Sequence, residues 1–345
     1  MRAVIVKLHM LGGFAVAVFV VVLGLTGSIM AFEDELDHLT NPHLFNVTPA
    51  GTPMRLTDLG ARVAAAHPGK RIGGYGMGVT PDLSYYVALG GSAFYVNQYT
   101  GEMLGERSGP TWLAQIHQLH LRLLAGAAGK TIVSWAGVLM LLLMISGLYL
   151  WWPVKRVSVN WSAGGRRRWF DLHNTVGVFA FVFLFIVSLT GVVVGFESVT
   201  SPTFYRLTNS QPYPFAVPVT PRPGAPLLTP DDAVAMARVA MPGARPIAVT
   251  APNPKSAYRV AMRFPEDLTP GGRTRVYIDP YTGAVLEAES SRTTAAGTRI
   301  VNLNRAIHTG DVFGIPSKTL MSLVSLAAVA QVITGLTMWW KGKSR

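Results

Sequence analysis

"DLHNTVGVFAFVFLFIVSLTGVVVGFE", residues 171–197, carries no charged side chain between His173 and Glu197. A helix crosses the hydrocarbon layer in about 20 residues, so this stretch predicts a membrane span over about 176–196. Three more stretches read the same way, at about 11–32, 131–152 and 319–340. The composition agrees. Half of the 345 residues are hydrophobic and 14% are charged, where a soluble domain usually has about a quarter charged. The first run is too long for a typical signal-peptide core, and no small-residue cleavage site closes it before "FEDEL". It is expected to stay as a helix.

Orientation follows from the basic residues beside the spans. Arg2 and Lys7 precede the first. Lys155, Arg156, Arg166, Arg167 and Arg168 lie between the second and third. Lys341, Lys343 and Arg345 follow the fourth. With four spans these flanks share one side, which is then the cytoplasm, with both termini inside. The segments 33–115 and 197–307 fall outside, in the periplasm of a bacterium. Ten basic residues of the +12 formal charge thus belong to membrane flanks, and nucleic acid is not an expected partner. The chain has no cysteine, which excludes disulfides, iron–sulfur clusters and thiolate metal sites.

The chain repeats itself. At an offset of 164, Leu8, His9, Gly13, Thr26, Gly27 and Glu33 fall on Leu172, His173, Gly177, Thr190, Gly191 and Glu197. At an offset of 188, His120, Lys130, Ser134, Gly147 and Trp151-Trp152 fall on His308, Lys318, Ser322, Gly335 and Trp339-Trp340. The outer segments repeat too. "YVNQYTGEMLGE" (95–106) matches "YIDPYTGAVLEA" (277–288), each reading as strand, turn, strand. A short helix with a capping start precedes each, in "LTDLGARVAAAHPG" and "LTPDDAVAMARVAMPG". The glycine-rich "GGYGMG" (73–78) has no nucleotide-binding context and reads as a flexible connection between strands.

The expected fold class is an α-helical membrane protein. Two parallel helix–module–helix repeats form a four-helix transmembrane bundle and carry two small α+β modules. The segments run 1–32 (first membrane helix), 33–115 (first module), 116–152 (second helix), 153–170 (basic loop), 171–196 (third helix), 197–307 (second module), 308–340 (fourth helix) and 341–345 (tail).

Four of the eight histidines obey the repeat: His9, His173, His120 and His308. His9 and His173 start outward-going helices near the cytoplasmic face. His120 and His308 precede inward-going helices near the other face. Glycines four residues after the first two, Gly13 and Gly177, leave a bare patch on the same helical face. Paired neutral imidazoles on facing helices suit axial ligation of a haem iron, one pair per leaflet. Hydrated interface histidines are the plainer reading of any one of them. Zinc or copper is a rival that normally asks for three or four ligands, with His117 beside His120 as a possible addition. Lys130 and Lys318 are candidates to hold haem propionates or, equally, to reach lipid phosphates, and for Arg122, Arg168 and Arg305 the lipid-facing reading is the favoured one of the two. The tryptophan pairs read as interface belts. The Thr-Gly and Ser-Gly dipeptides at 26–27, 146–147, 190–191 and 334–335 read as close helix-packing sites.

"KLHMLGGF…LTGSIMAFEDEL", "LHLRLLAGAAGKTIVSWAG…ISGLYLWWP", "DLHNTVGVF…LTGVVVGFE" and "IHTGDVFG…ITGLTMWW" resemble the PepSY-associated transmembrane helix family. The outer modules resemble PepSY domains, although the first has "NQYTG" where the second has "DPYTG". The resemblance implies a bacterial inner-membrane protein of iron uptake, of the ferric-siderophore reductase type, with two haems b. It puts His9 and His173 on the inner haem and His120 and His308 on the outer one. Electrons would pass from a cytoplasmic or quinol donor to a periplasmic ferric chelate. A peptide- or protease-binding regulator and a metal transporter are the alternative functions. The spans hold almost no carboxylate for the latter.

Overall fold

The uncharged runs fold as long helices in the computed structural model, which describes residues 1–343; Arg345 lies outside them. In chain order the helices are α1 (Arg2–Met30), α2 (Glu33–Thr40), α3 (Pro42–Phe45), α4 (Leu56–Ala66), α5 (Trp112–Arg122), α6 (Gly126–Trp151), α7 (Gly165–Gly195), α8 (Glu197–Leu207), α9 (Pro230–Ala240), α10 (Ala296–Thr309) and α11 (Ile315–Lys343). The strands are β1 (Ile72–Gly76), β2 (Tyr85–Leu89), β3 (Ser92–Val96), β4 (Met103–Arg107), β5 (Arg245–Thr250), β6 (Tyr258–Arg263), β7 (Thr274–Ile278) and β8 (Val285–Glu289). The chain divides into two compact units. One holds 1–33, 111–206 and 300–345; the other holds 34–110 and 207–299.

In the first unit, α1, α6, α7 and α11 are each long and apolar enough to cross a membrane. The shortest, α6, has 26 residues and so rises about 39 Å, more than the ~30 Å hydrocarbon core. α1 packs on α6 and α11, and α7 packs on the same two, so α1 and α7 lie diagonally across the bundle. Small and branched side chains fill the interior: Val16, Val20, Ala136, Ala180, Leu184 and Val324 are buried together. Val18, Leu142, Phe179 and Leu323 face outward. Apolar groups on both faces suit a bundle whose solvent is lipid.

Two boundaries differ from the sequence expectation. α7 begins at Gly165 rather than at 171, and His9 and His173 both sit inside their helices rather than at the starts. The expected second helix over 116–152 is two helices. The chain breaks after α5, where Leu123 and Leu124 take left-handed φ angles of 50° and 55°, and restarts as α6. A short 3-10 turn, Asp311–Phe313, likewise separates α10 from α11. There Gly310 has φ 79°, and a Cβ on it would stand 3.1 Å from the Ser317 carbonyl oxygen. Only glycine serves such a position cheaply.

The second unit is built on one antiparallel sheet of eight strands, ordered β4-β3-β2-β1-β5-β6-β7-β8. Each half of it is a helix followed by four strands. The halves join where β1 pairs with β5, with Gly74 opposite Thr250 and Gly76 opposite Ala248. The expectation for "GGYGMG" is therefore corrected. Its first four residues end β1, a central strand, and are not a flexible connection. Gly76 is there because the Tyr86 ring lies across it, where any Cβ would collide, and a Cβ on Gly74 would stand 2.8 Å from the Val249 carbonyl oxygen. α4 and α9 cover one face of the sheet, burying Leu59, Val63, Val87, Phe94, Val260 and Val276 in one core.

The caps are unequal. Thr229 and Asp232 form a reciprocal capping box on α9, and bonds from Thr229 hold the Asp232 carboxyl below its usual range. α4 has no such cap of its own. Asp231 supplies it, accepting from the backbone N–H of Leu56 at 2.8 Å and of Thr57 at 2.9 Å. The two Tyr-Thr-Gly turns match despite their different sequences. Asn97 Oδ1 accepts from the Tyr99 N–H at 2.9 Å, and Asp279 Oδ1 from the Tyr281 N–H at 2.8 Å.

Candidate functional site: two imidazole pairs in the bundle

The bundle brings the four repeat-matched histidines together as two pairs. His9 on α1 and His173 on α7 face each other with ring centres 6.3 Å apart and planes at 87°. His120 on α5 and His308 on α10 stand 6.4 Å apart with planes at 52°. His9 and Thr26, which marks the level of the second pair, are 17 residues apart on α1, a rise of roughly 26 Å. The apolar core of the bundle fills the space between.

Each ring is held by a hydroxyl from a neighbouring helix. Nδ1 of His9 meets Ser146 Oγ at 2.9 Å, and Nδ1 of His120 meets Thr26 Oγ1 at 2.9 Å. Nδ1 of His173 meets Thr334 Oγ1 at 3.0 Å, and Nδ1 of His308 meets Thr190 Oγ1 at 3.1 Å. The residue after every one of these hydroxyls is glycine. A Cβ at Gly27, Gly147, Gly191 or Gly335 would come within 3.2, 3.3, 3.0 or 3.4 Å of the Cε1 of the same ring. The dipeptides expected to serve helix packing are thus imidazole cradles. Their sequence signal was present: four dipeptides, at repeat-related positions, for four histidines.

The other candidates separate. His117 turns away from the second pair, with Nδ1 3.0 Å from Glu33 Oε2, so His120 is the one that faces His308. Lys130 binds Glu197 at 2.7 Å. Lys318 is buried, with Nζ 3.8 Å from Asp311. Both lysines are thus matched by carboxylates. Arg122, Arg168 and Arg305 are exposed.

A cavity of about 510 Å³ opens beside His9 and His173, walled by Gly13, Gly177, Phe14 and Trp339. Arg2 and Arg166 also line it. Neither was singled out as a site residue, because nothing in their spacing tells them from other flanking cations. Gln331 reaches the same wall and donates from Nε2 to the His173 carbonyl at 3.0 Å. Two residues before His173, the fully buried Asp171 accepts from Arg167 Nε at 3.0 Å and from the Asn160 N–H at 3.3 Å. This ties the basic loop to the start of α7.

The arrangement of spans, outer segments and paired histidines spreads over nearly the whole chain. A family match does the same: the family described as PepSY-associated TM region matches residues 6–342. The chain belongs to that family. A search of curated proteins finds no match to it. As a PepSY-associated membrane protein it carries a concavity in its second unit as well. It measures about 480 Å³ and is lined by Arg71, Arg259, Asn253, Phe215 and Tyr277. Arg259 lies over the Phe215 ring at 4.8 Å. Burial pushes the Tyr277 phenol up, and its hydroxyl donates to the Pro214 carbonyl at 2.7 Å.

Proposed function

We propose that this protein is a di-haem b electron carrier of the bacterial inner membrane that reduces a periplasmic ferric chelate, such as a ferric siderophore. The two imidazole pairs carry the reading. Two imidazoles sharing one metal ion through ~2 Å bonds to nitrogen have ring centres about 6 Å apart, and the pairs stand at 6.3 and 6.4 Å. Each Nδ1 is engaged by a hydroxyl, so each Nε2 is the nitrogen left to bind. The cavity beside the first pair lies in the ~300–1,000 Å³ range of cofactor sites. Among the described residues no group of three or more His, Cys, Asp or Glu converges, as a zinc site would normally ask.

His9 and His173 would hold one haem, and His120 and His308 the other. When bound, such a group supplies reversible one-electron transfer. The chain's own residues orient the ligands and, through the apolar bundle core, exclude water between the two levels. Arg2 and Arg166 offer cations to the carboxylates of the first group. The basic flanks favour the cytoplasm for the His9–His173 end, and the repeat favours parallel halves with both outer segments in the periplasm. One electron per ferric ion, from a cytoplasmic or quinol donor, gives ferrous iron. Hard oxygen ligands hold that ion less tightly.

The test is an absorption spectrum of the purified protein, oxidised and reduced. It is expected to show b-type bands at about two haems per chain, with His173→Ala losing about half. A colourless protein from haem-replete cells would overturn the reading.

A further inference from the structure

We propose that Thr26, Ser146, Thr190 and Thr334 are positioning residues that hold the four imidazoles in one tautomer, with the proton on Nδ1 and the lone pair on Nε2. The direction of each hydrogen bond follows from proton counting. A hydroxyl has one proton and two lone pairs. Thr26 Oγ1 donates to the Val22 carbonyl at 2.7 Å, Thr190 to Ile186 at 2.8 Å, Thr334 to Ala330 at 2.7 Å and Ser146 to Leu143 at 3.0 Å. In this proposal each proton goes to that carbonyl of the hydroxyl's own helix. The oxygen can then only accept, so the Nδ1 it faces carries the hydrogen. A neutral imidazole has one N–H, which leaves Nε2 unprotonated.

A second acceptor stands beside the hydroxyl. Nδ1 of His308 is also 3.1 Å from the Val187 carbonyl, three residues before Thr190. At His308 the ring therefore faces two acceptors, the Thr190 hydroxyl oxygen and the Val187 carbonyl. A carbonyl has no proton to give, so the two acceptors demand the same tautomer. The following glycine lets the Cε1 edge lie on the helix, and a ring flip would put the carbon Cδ2 against both acceptors. Folding alone therefore selects the ligating form before any group binds.

The consequence for iron rests on the proposed function; the tautomer does not. The full-length chain, labelled with ¹⁵N-histidine, is prepared both from haem-deficient and from haem-replete cells. In the cofactor-free chain, at least four of the eight histidines are expected to show protonated Nδ1 and bare Nε2. Thr26→Val should shift the Nδ1 resonance of one of them, and Thr26→Ser should restore it. In loaded protein the same Thr26→Val should raise the reduction potential of one of two centres, because the ring loses an acceptor that enriches its donor nitrogen. Fewer than four such rings in the wild type, or a Thr26→Val chain with unmoved histidine resonances, would overturn the proposal. Ser146→Ala repeats the test at the other pair if Thr26→Val does not fold. A chain that shows the tautomer pattern and binds no haem would end the redox reading and leave this one standing.

Discussion

At the scale of single residues, the pairing of His120 rather than His117 with His308 makes a sharp prediction. On the proposed di-haem reading, His120→Ala should remove one of two haems, whereas His117→Ala, which breaks the contact to Glu33, should leave the absorption spectrum intact. Loss of a haem on His117→Ala would refute the assignment. The glycines predict a graded effect. Gly191→Ala puts a Cβ 3.0 Å from His308 Cε1, closer than two atoms rest without displacement, so the ring must shift by a few tenths of an ångström. Haem retention measured by the haem-to-protein absorbance ratio should fall, and fall further than for Gly335→Ala, where the gap is 3.4 Å. The histidines themselves were legible in the sequence because the repeat marked them. The acceptors were not, since a hydroxyl on another helix has no fixed spacing from the ring it holds.

Among the elements, the cap on α4 is the one whose loss is easiest to read. Asp231 lies on α9 yet satisfies two backbone donors at the start of α4 and also accepts from the Thr57 hydroxyl at 2.5 Å. Asp231→Ala leaves those donors without this partner. A lost helix cap costs about 1 kcal/mol or somewhat more, so the second unit should melt at lower temperature while the haem spectrum is unchanged. An unchanged melting curve would show that water replaces the cap. The neighbouring Asp232 adds a pH signature. Its carboxyl is held below the usual range, so its share of stability is present at neutral pH. That share disappears as the pH falls below about 4 and on through its lowered value. The strand–turn–strand units at the two Tyr-Thr-Gly turns, β3–β4 and β7–β8, and both short helices were readable in the sequence, whereas β2, β5 and β6 carried no such signal. β1 reads wrongly as a connection, because glycines that make room for the Tyr86 ring at Gly76 and for the Val249 carbonyl at Gly74 look in sequence like a loop.

For the molecule as a whole, the absence of cysteine makes sidedness directly measurable. Single cysteines at Thr52 and Ser162, both exposed, should react oppositely to a membrane-impermeant thiol reagent in intact spheroplasts: Thr52→Cys labelled, Ser162→Cys protected. Labelling of both, or the reverse pattern, would overturn the proposed orientation. The arginine-lined concavity of the second unit is a candidate surface for the ferric chelate. Arg259→Glu should then raise KM for reduction and leave the haem spectrum unaltered; equal KM would dissociate the concavity from the acceptor. The amino-acid sequence by itself determined four membrane-length helices and two strand-rich segments between them. It also marked four privileged histidines. Burial of apolar runs and local turn chemistry are properties of neighbouring residues. Tertiary structure alone decided that both outer segments share one sheet, that His9 meets His173 and His120 meets His308, and that a Thr-Gly or Ser-Gly step receives each ring. Those facts depend on which surfaces pack across distances of tens to more than a hundred residues, and no local pattern of side chains specifies them.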